Sequence, residues 1–387
     1  MGSCQALRVM SSAMAGPKKS VALSGISVAE TSICSIDPDE GVLMYRGYDI
    51  AGLAEHASYE EVAFLLLEGD LPTGEQLDGF KEQLAAAREL PRAVTTIVDG
   101  NAMDASPMET LRTAVSALSF SDPAEDAIDR TNEHRKAVAL IAQLPTIVAR
   151  YERRRRGELA VDPDPTLDYA ENFLTMLRGE APTAGEVRAF EVAMILHAEH
   201  EMNASTFTAR VVAGTNADMH SAIVAAVSAL KGPLHGGANQ AAIQMFREFG
   251  SPDGVAEGVR SRLEAKQPLY GFGHPLYRAM DPRAPILRRL SEQFADDGEP
   301  NFLEIAQAAE HEAQAQKGLW PNVDLYSGVL YHYLGIPTDL FIPLFEMSRV
   351  AGQAAHVLEQ HAGGKIIRPS AEYVGEPRRD YPVREPR

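Results

Sequence analysis

The sequence predicts an all-α protein with one large domain and a smaller partner. Three observations carry that expectation: helix-start signals recur along the chain, apolar residues return every three or four positions behind them, and 387 residues are too many for one small core. Ser58 with Glu61 forms a capping-box pattern ahead of VAFLLL, and Gly69 stops that segment. Thr73 with Gln76 opens the next, with Leu77, Phe80 and Leu84 on one face; Ser106, Pro107 and Glu109 repeat the start signal. Further helices are expected at about 124–152, 168–178, 185–213, 217–231, 238–249, 253–265, 284–297, 301–317, 324–334 and 338–361. The exception is GISVAETSICSIDPDEGVLMYRGYDI, whose short β-branched runs, broken by Asp37-Pro38 and Gly41, read as a small strand and turn region. No internal repeat or long linker is present, so a second domain is inserted in the chain or joined by short hinges.

A formal charge of -18, from 36 basic and 54 acidic residues, argues against a nucleic-acid or anionic-membrane partner, whose phosphates would be repelled. It suits a soluble enzyme. No apolar run reaches the roughly 18–20 residues of a membrane span; the richest, VLYHYLGIPTDLFIPLF, is broken by His332, Pro337 and Asp339. Cys4 and Cys34 form no C-x-x-C pair, which points to a reducing, cytoplasmic compartment. The leader 1–24 carries Arg8, Lys18 and Lys19 and faintly resembles a transit peptide. A disordered extension, or a start placed ahead of the true one at Met10 or Met14, is the simpler expectation.

Four segments look chemical. LHAEHEMNAS spaces His197, His200 and Asn203 three apart, on successive turns of an expected helix. H-x-x-H on a helix is one zinc pattern, but no third ligand is evident and no metal is expected. In GPLHGGANQ, glycines flank His235 just before an apolar helix, whose positive end would favour a neutral imidazole able to polarise a carbonyl. GFGHPLYRAMDPR joins His274 to Arg278 and to Arg283, with Asp281 as expected helix cap and Pro282 as first helical residue. A guanidinium such as Arg283 pairs naturally with a carboxylate, and Arg278 suits a phosphate. PNVDLYSG holds Asp324 at a helix entrance, where capping is the ordinary role and the dipole would favour its ionised form. Arg349 lies in the apolar run FEMSRVAG, and Arg368 follows the Gly363-Gly364 break. The run Arg153 to Arg156 reads as solvated charge, or as an attractor for a polyanionic cofactor.

Taken in order, RGYDI, HAEHEMNAS, GPLHGGANQ, GFGHPLYRAMDPR, PNVDLYSG, MSRVAG and RPS resemble the citrate synthase family, in its shorter bacterial and archaeal branch, over nearly everything after Ser24. The resemblance implies an all-α homodimer with a large domain (25–236 and 336–387) and a small mobile domain (237–335) that closes over the substrates. It implies that acetyl-CoA and oxaloacetate condense, as in the tricarboxylic acid cycle, with CoA as the acyl carrier and no tightly bound cofactor. Asp324 matches the base that takes a methyl proton, His235 the histidine that stabilises the enol, and His274 the one that protonates the oxaloacetate carbonyl. His200, Arg283 and Arg349 match oxaloacetate-binding positions, Arg368 matches an arginine from the other subunit, and Arg278 matches a basic position near the CoA phosphates.

The chemistry is consistent with this. A carboxylate of pKa ~4 is too weak to deprotonate a thioester methyl unless the developing oxyanion is stabilised at the same moment, so Asp324 needs His235. Two alternatives stand beside the main reading. One is 2-methylcitrate synthase, which uses propionyl-CoA: HAEHEMNASTFTARVVAG and GFGHPLY suit it, whereas PNVDLYSGVLYHYLGIPTDLF and Leu234 look more like citrate synthase. Gln353 occupies a place where the family often has a bulky aromatic, which bears on acyl choice. The other is a helical metal-binding or scaffold protein without catalysis, against which Asp324, His235 and His274 together argue.

Overall fold

A computed structural model describes Leu23, 26–295 and 301–381. The expected leader, apart from Leu23, and Cys4 lie outside the described residues. The chain divides into two compact units, Met1–Glu30 and Thr31–Arg387. In the first, 26–30 have no regular structure; everything below concerns the second.

The strand and turn region forms one antiparallel sheet of β1 (Cys34–Asp37), β2 (Val42–Tyr45) and β3 (Tyr48–Asp49), with Ser35 opposite Met44 and Tyr45 opposite Tyr48. Helices follow: α1 (Ile50–His56), α2 (Tyr59–Glu68), α3 (Gly74–Ala87), α4 (Arg92–Asn101), α5 (Pro107–Leu118), α6 (Arg130–Arg155), α7 (Tyr169–Arg178) and α8 (Ala184–His197). Then come α9 (Ala204–Ala213), α10 (Met219–Leu230), α11 (Ala238–Phe249), α12 (Pro252–Glu264), α13 (Ala284–Glu292), α14 (Phe302–Lys317), α15 (Val323–Tyr333) and α16 (Phe341–Gly363). The sequence-expected capping boxes close at Ser58, Thr73 and Ser106, each side chain accepting from the third helical N–H while the third residue reaches back. Gly69, with φ +100°, ends α2 as expected.

Helix α16 is the axis of the core. It packs against α2, α5, α6, α8, α9 and α10, and nearly every residue from Phe341 to Leu358 is buried. A helix apolar on all sides is what such a position demands. Its few polar residues are therefore conspicuous.

Four boundaries differ from expectation. Helix α4 carries no side-chain cap, following Pro91, and so gave no start signal. The helix expected from 124 begins at Arg130, because Asp129 caps it by accepting from Asn132 N–H at 3.2 Å. Helix α13 ends at Glu292 rather than 297; 293–294 form a turn, and 296–297 lie outside the described residues.

The fourth matters most: the single helix expected over 185–213 is two, α8 and α9, separated by 198–203. Glu201 takes φ +53°, a conformation that ends a right-handed helix. Asn203 then restarts it, its side-chain oxygen accepting from Thr206 N–H at 3.1 Å. Two neighbours hold the break. The buried Tyr45 hydroxyl of β2 donates to Glu199 O at 2.8 Å. Gly352 of α16 leaves room for the turn, since a Cβ there would stand 2.2 Å from Glu199 Oε2 and 2.4 Å from Ala198 O.

Gly352→Ala is accordingly expected to destabilise the protein by ~1–3 kcal/mol through overpacking, read as a lower denaturant midpoint. An unchanged midpoint would show that the turn yields freely.

Candidate active site

Five polar residues of α16 stand on one face. Glu346, Arg349, Gln353, His356 and Gln360, spaced alternately three and four apart, are all buried. That face grips the 197–205 segment. Arg349 Nε donates to His197 O at 2.5 Å, and Gln353 Nε2 lies 3.4 Å from Ser205 Oγ. His356 Nε2 lies 3.0 Å from Glu199 Oε1, while Arg210 Nη1 donates to His356 Nδ1 at 2.9 Å. An arginine can only donate, so His356 carries its proton on Nε2 and gives it to Glu199.

Within this segment the expected helical spacing of His197, His200 and Asn203 does not hold. His197 is the last residue of α8, His200 lies in the turn, and Asn203 is the cap of α9. The His197 imidazole is buried, with Nδ1 2.7 Å from Ala193 O of its own helix. Burial pushes its pKa down to about 3, with Ala193 O opposing and Arg283 and Arg349 adding to the fall. Among the described residues, no group of three His, Cys, Asp or Glu side chains is placed to hold a metal. His200 Nε2 lies 3.1 Å from the hydroxyl of Tyr277, and its ring is 5.0 Å from that of His274.

His235 sits in the turn ahead of α11, but the helix end it meets is that of α9. Its Nε2 accepts from Ser205 N–H at 3.1 Å and lies 3.0 Å from Ser205 Oγ. A backbone N–H can only donate, so the neutral ring holds its proton on Nδ1. Nδ1 has no hydrogen-bond partner among the described residues and is left as a donor. Burial first, then Arg349, lowers the pKa to about 4. The expected neutral imidazole is thus present, with burial and Arg349, in place of the α11 end, as its cause.

His274 has the opposite tautomer. Its Nδ1 accepts from Leu276 N–H at 3.1 Å, leaving Nε2 to carry the proton, and burial with Arg283 pushes its pKa down to about 4. The GFGH loop that carries it is laced to the entrance of α15. Asn322 N–H donates to Gly271 O at 2.9 Å, Asn322 Nδ2 to Gly273 O at 2.8 Å, and Gly273 N–H to Trp320 O at 2.9 Å. Gly271 has φ +83°, and a Cβ on it would strike Leu325 at 2.8 Å, so this close approach needs glycine.

The DPR segment departs from its expected role as a helix start. Asp281 does not cap α13, and Pro282 is not its first residue; the helix begins at Ala284. Asp281 is instead buried and bidentate to Arg283, at 2.9 Å to Nε and 2.7 Å to Nη2, while also accepting from Val323 N–H at 3.2 Å. This pair ties Arg283 to the mouth of α15. Nor is Asp324 a cap. Asn322 fills that place, and Asp324 is the second residue of α15. Its pKa is pushed up to about 7: burial dominates, Asp281 adds to the rise, and Arg283 and Arg349 pull the other way. Burial thereby outweighs the helix-end effect that would favour ionisation.

Arg283 and Arg349 unify the cluster. Their charges reach His200, and one or the other reaches His235, His274 and Asp324. Arg349 lies 4.6 Å over the Phe345 ring, and its terminal nitrogens have no protein partner among the described residues. Two residues stand apart. Arg278 is exposed and paired with Asp39, and Arg368 is exposed on the extended segment after α16. The run Arg153 to Arg156 is not free charge: its members pair with Glu158, Asp99, Glu152 and Asp339. Sequence reasoning missed Tyr277 and Ser205, though each lies inside a motif already singled out.

The chain matches the family described as "Citrate synthase, C-terminal domain" over residues 22–370. It is 45% identical to a citrate synthase of Haloferax volcanii, over 94% of this chain and 98% of that one. It is 41% identical to a 2-methylcitrate synthase of Shewanella oneidensis, over 93% and 96% of the two chains. The solved ternary complex of a Thermoplasma acidophilum citrate synthase with carboxymethyl coenzyme A and oxaloacetate superposes with a TM-score of 0.88 at 33% identity, covering 93% of this chain and 97% of that one. The all-α frame is therefore shared architecture, and the chain belongs to the citrate synthase family of condensing acyltransferases.

Proposed function

We propose that this enzyme joins acetyl-CoA to oxaloacetate and hydrolyses the resulting citryl thioester to citrate and CoA. One observation carries the reading: a carboxylate of raised pKa and two neutral histidines of opposite tautomer all lie within electrostatic reach of two buried arginines. Asp324 takes a proton from the acetyl methyl group, while His235 Nδ1–H donates to the thioester oxygen on which charge develops. The enol carbon attacks C2 of oxaloacetate, and the carbonyl oxygen becomes a hydroxyl by taking the proton of His274 Nε2. Water then cleaves the thioester and releases CoA. A base of pKa about 7 removes a methyl proton far more readily than one near 4.

Arg283, Arg349 and His200 hold the oxaloacetate carboxylates. The terminal nitrogens of Arg349 are free for this, and because Asp281 offsets only Arg283 the site keeps one positive charge toward the acceptor's carboxylates. Arg368 completes the acceptor site from a second copy of the chain in a homodimer, and Arg278 meets a CoA phosphate on leaving Asp39. Residues 237–335 act as the small domain that closes over both substrates, excluding water that would hydrolyse the thioester early. Side chains supply all the acid, base and electrostatic work, so CoA enters as substrate and no tightly bound cofactor is needed. The setting is the cytoplasm. Propionyl-CoA is the second reading, favoured by the similar identities to relatives of both names, 45% and 41%.

Release of free CoA thiol from acetyl-CoA and from propionyl-CoA, each with and without oxaloacetate, tests the reaction. Oxaloacetate-dependent release, faster with acetyl-CoA, is expected; none with either thioester would refute it. Asp324→Ala should lower kcat by at least ~100-fold with little change in oxaloacetate binding.

Only ionised Asp324 is a base, so kcat/KM should rise with pH through about 7, where an ordinary carboxylate would give a limb near 4. The same shift affects stability. Between the ordinary value and about 7 the folded chain holds a proton that the unfolded one has lost, so stability falls as pH rises across that window. Asp324→Asn should therefore stabilise the protein at pH ~8 by ~2–4 kcal/mol, with the gain vanishing near pH ~4 in denaturant titrations.

A further inference from the structure

Helix α16 buries a carboxyl and an amide that the chemistry above leaves unused. Glu346 and Gln353 are fully buried, seven residues apart, with Arg349 between them on the same face. Gln353 Nε2 is 3.2 Å from Glu346 Oε2 and 3.4 Å from Ser205 Oγ. Ser205 in turn meets His235 Nε2 through both its N–H and its hydroxyl. A continuous line of polar contacts therefore runs from Glu346 to His235. Burying an amide and a carboxyl in a packed core is costly unless their hydrogen bonds are met.

We propose that Gln353 is a positioning residue for His235 and that Glu346 fixes which way the Gln353 amide faces. Donor counting explains how. The NH2 group of Gln353 serves both neighbours, so Ser205 Oγ accepts from it and must direct its single hydrogen elsewhere, to His235 Nε2 or to Asn203 Oδ1 at 2.8 Å. Pointed at His235, the hydroxyl gives Nε2 a second donor beside Ser205 N–H, and the two together hold the His235 proton on Nδ1. Were the amide reversed, its oxygen would draw the Ser205 hydrogen. The hydroxyl would then face His235 Nε2 with lone pairs alone, leaving Ser205 N–H as the single contact that opposes the wrong tautomer. Glu346 Oε2 prevents the reversal because it accepts from NH2 and would repel the amide oxygen. It accepts as carboxylate or as the carbonyl oxygen of the acid, so the device survives protonation of Glu346, whose pKa burial raises to about 7.

The consequence for catalysis rests on the role given to His235 above, but the tautomer can be read without turnover. In enzyme labelled with 15N-histidine, His235, assigned by its loss in His235→Gln, should show a protonated Nδ1 and a bare Nε2. Gln353→Met should move a measurable share of the proton to Nε2 and lower kcat roughly tenfold, with the KM for oxaloacetate unchanged within about twofold. Glu346→Met should do the same, whereas Glu346→Gln, which keeps an acceptor oxygen, should restore the wild-type pattern. Circular dichroism confirms folding of each variant. A protonated Nε2 in the wild-type enzyme, an unchanged tautomer in Gln353→Met, or equal losses in Glu346→Gln and Glu346→Met would overturn the proposal. If wild-type enzyme released no CoA with oxaloacetate, the functional reading would fall, and the nitrogen spectra would still decide the role of Gln353.

Discussion

The grip of α16 on the 197–205 segment is the constraint on which the rest of the site depends. A break between α8 and α9 leaves backbone polar groups without helical partners inside a packed core, where unmet hydrogen bonds are expensive. Arg349 takes the freed carbonyl of His197, Tyr45 takes Glu199 O, and Asn203 recaps the chain. The break therefore costs little. It also turns His200 out of the helical row and aims the new α9 N-terminus at His235. One local interruption thus places the His200 imidazole and sets the tautomer of His235.

Charge is arranged on the same frame. Arg283 is neutralised by Asp281, which in turn bonds to Val323 N–H and so locates the mouth of α15. Removing one partner of such a buried pair typically costs ~3–5 kcal/mol, so this contact anchors Asp324 as well as Arg283. Among the described residues Arg349 has no paired carboxylate, and it spends only Nε on the backbone. Its remaining nitrogens are poised for an anion. Meanwhile burial keeps both histidines neutral and raises Asp324, so that two neutral imidazoles and one carboxylate of raised pKa lie within reach of the two arginines.

Much of this was legible in the residues. Capping boxes mark α2, α3 and α5 because their hydrogen bonds are local, and the β-branched runs mark the sheet for the same reason. The GPLHGG, GFGH and PNVD segments announce themselves through glycine, proline and asparagine at places where the backbone must turn. What escaped depended on distant partners. The apolar pattern continues through 198–203, so only Tyr45 and Gly352, some 150 residues away on either side, reveal that the helix breaks there. Asp281 looks like a cap in sequence because a cap and a buried counter-ion are both a short acid before a helix. Its choice is made by Arg283 and Val323. Glu346 reads as an ordinary helical residue, and Gln353 stands out only for its size, until packing shows both wholly enclosed.

The central claim is that these groups make a carbon–carbon bond from the methyl of an acyl-CoA. The most direct measurement is 13C NMR of products formed from [2-13C]acetyl-CoA and [2-13C]oxaloacetate. The account predicts a methylene signal split by one-bond coupling to a new tertiary alcohol carbon, appearing together with free CoA. Labelled acetate beside unchanged oxaloacetate would contradict it, for the site would then be a thioester hydrolase.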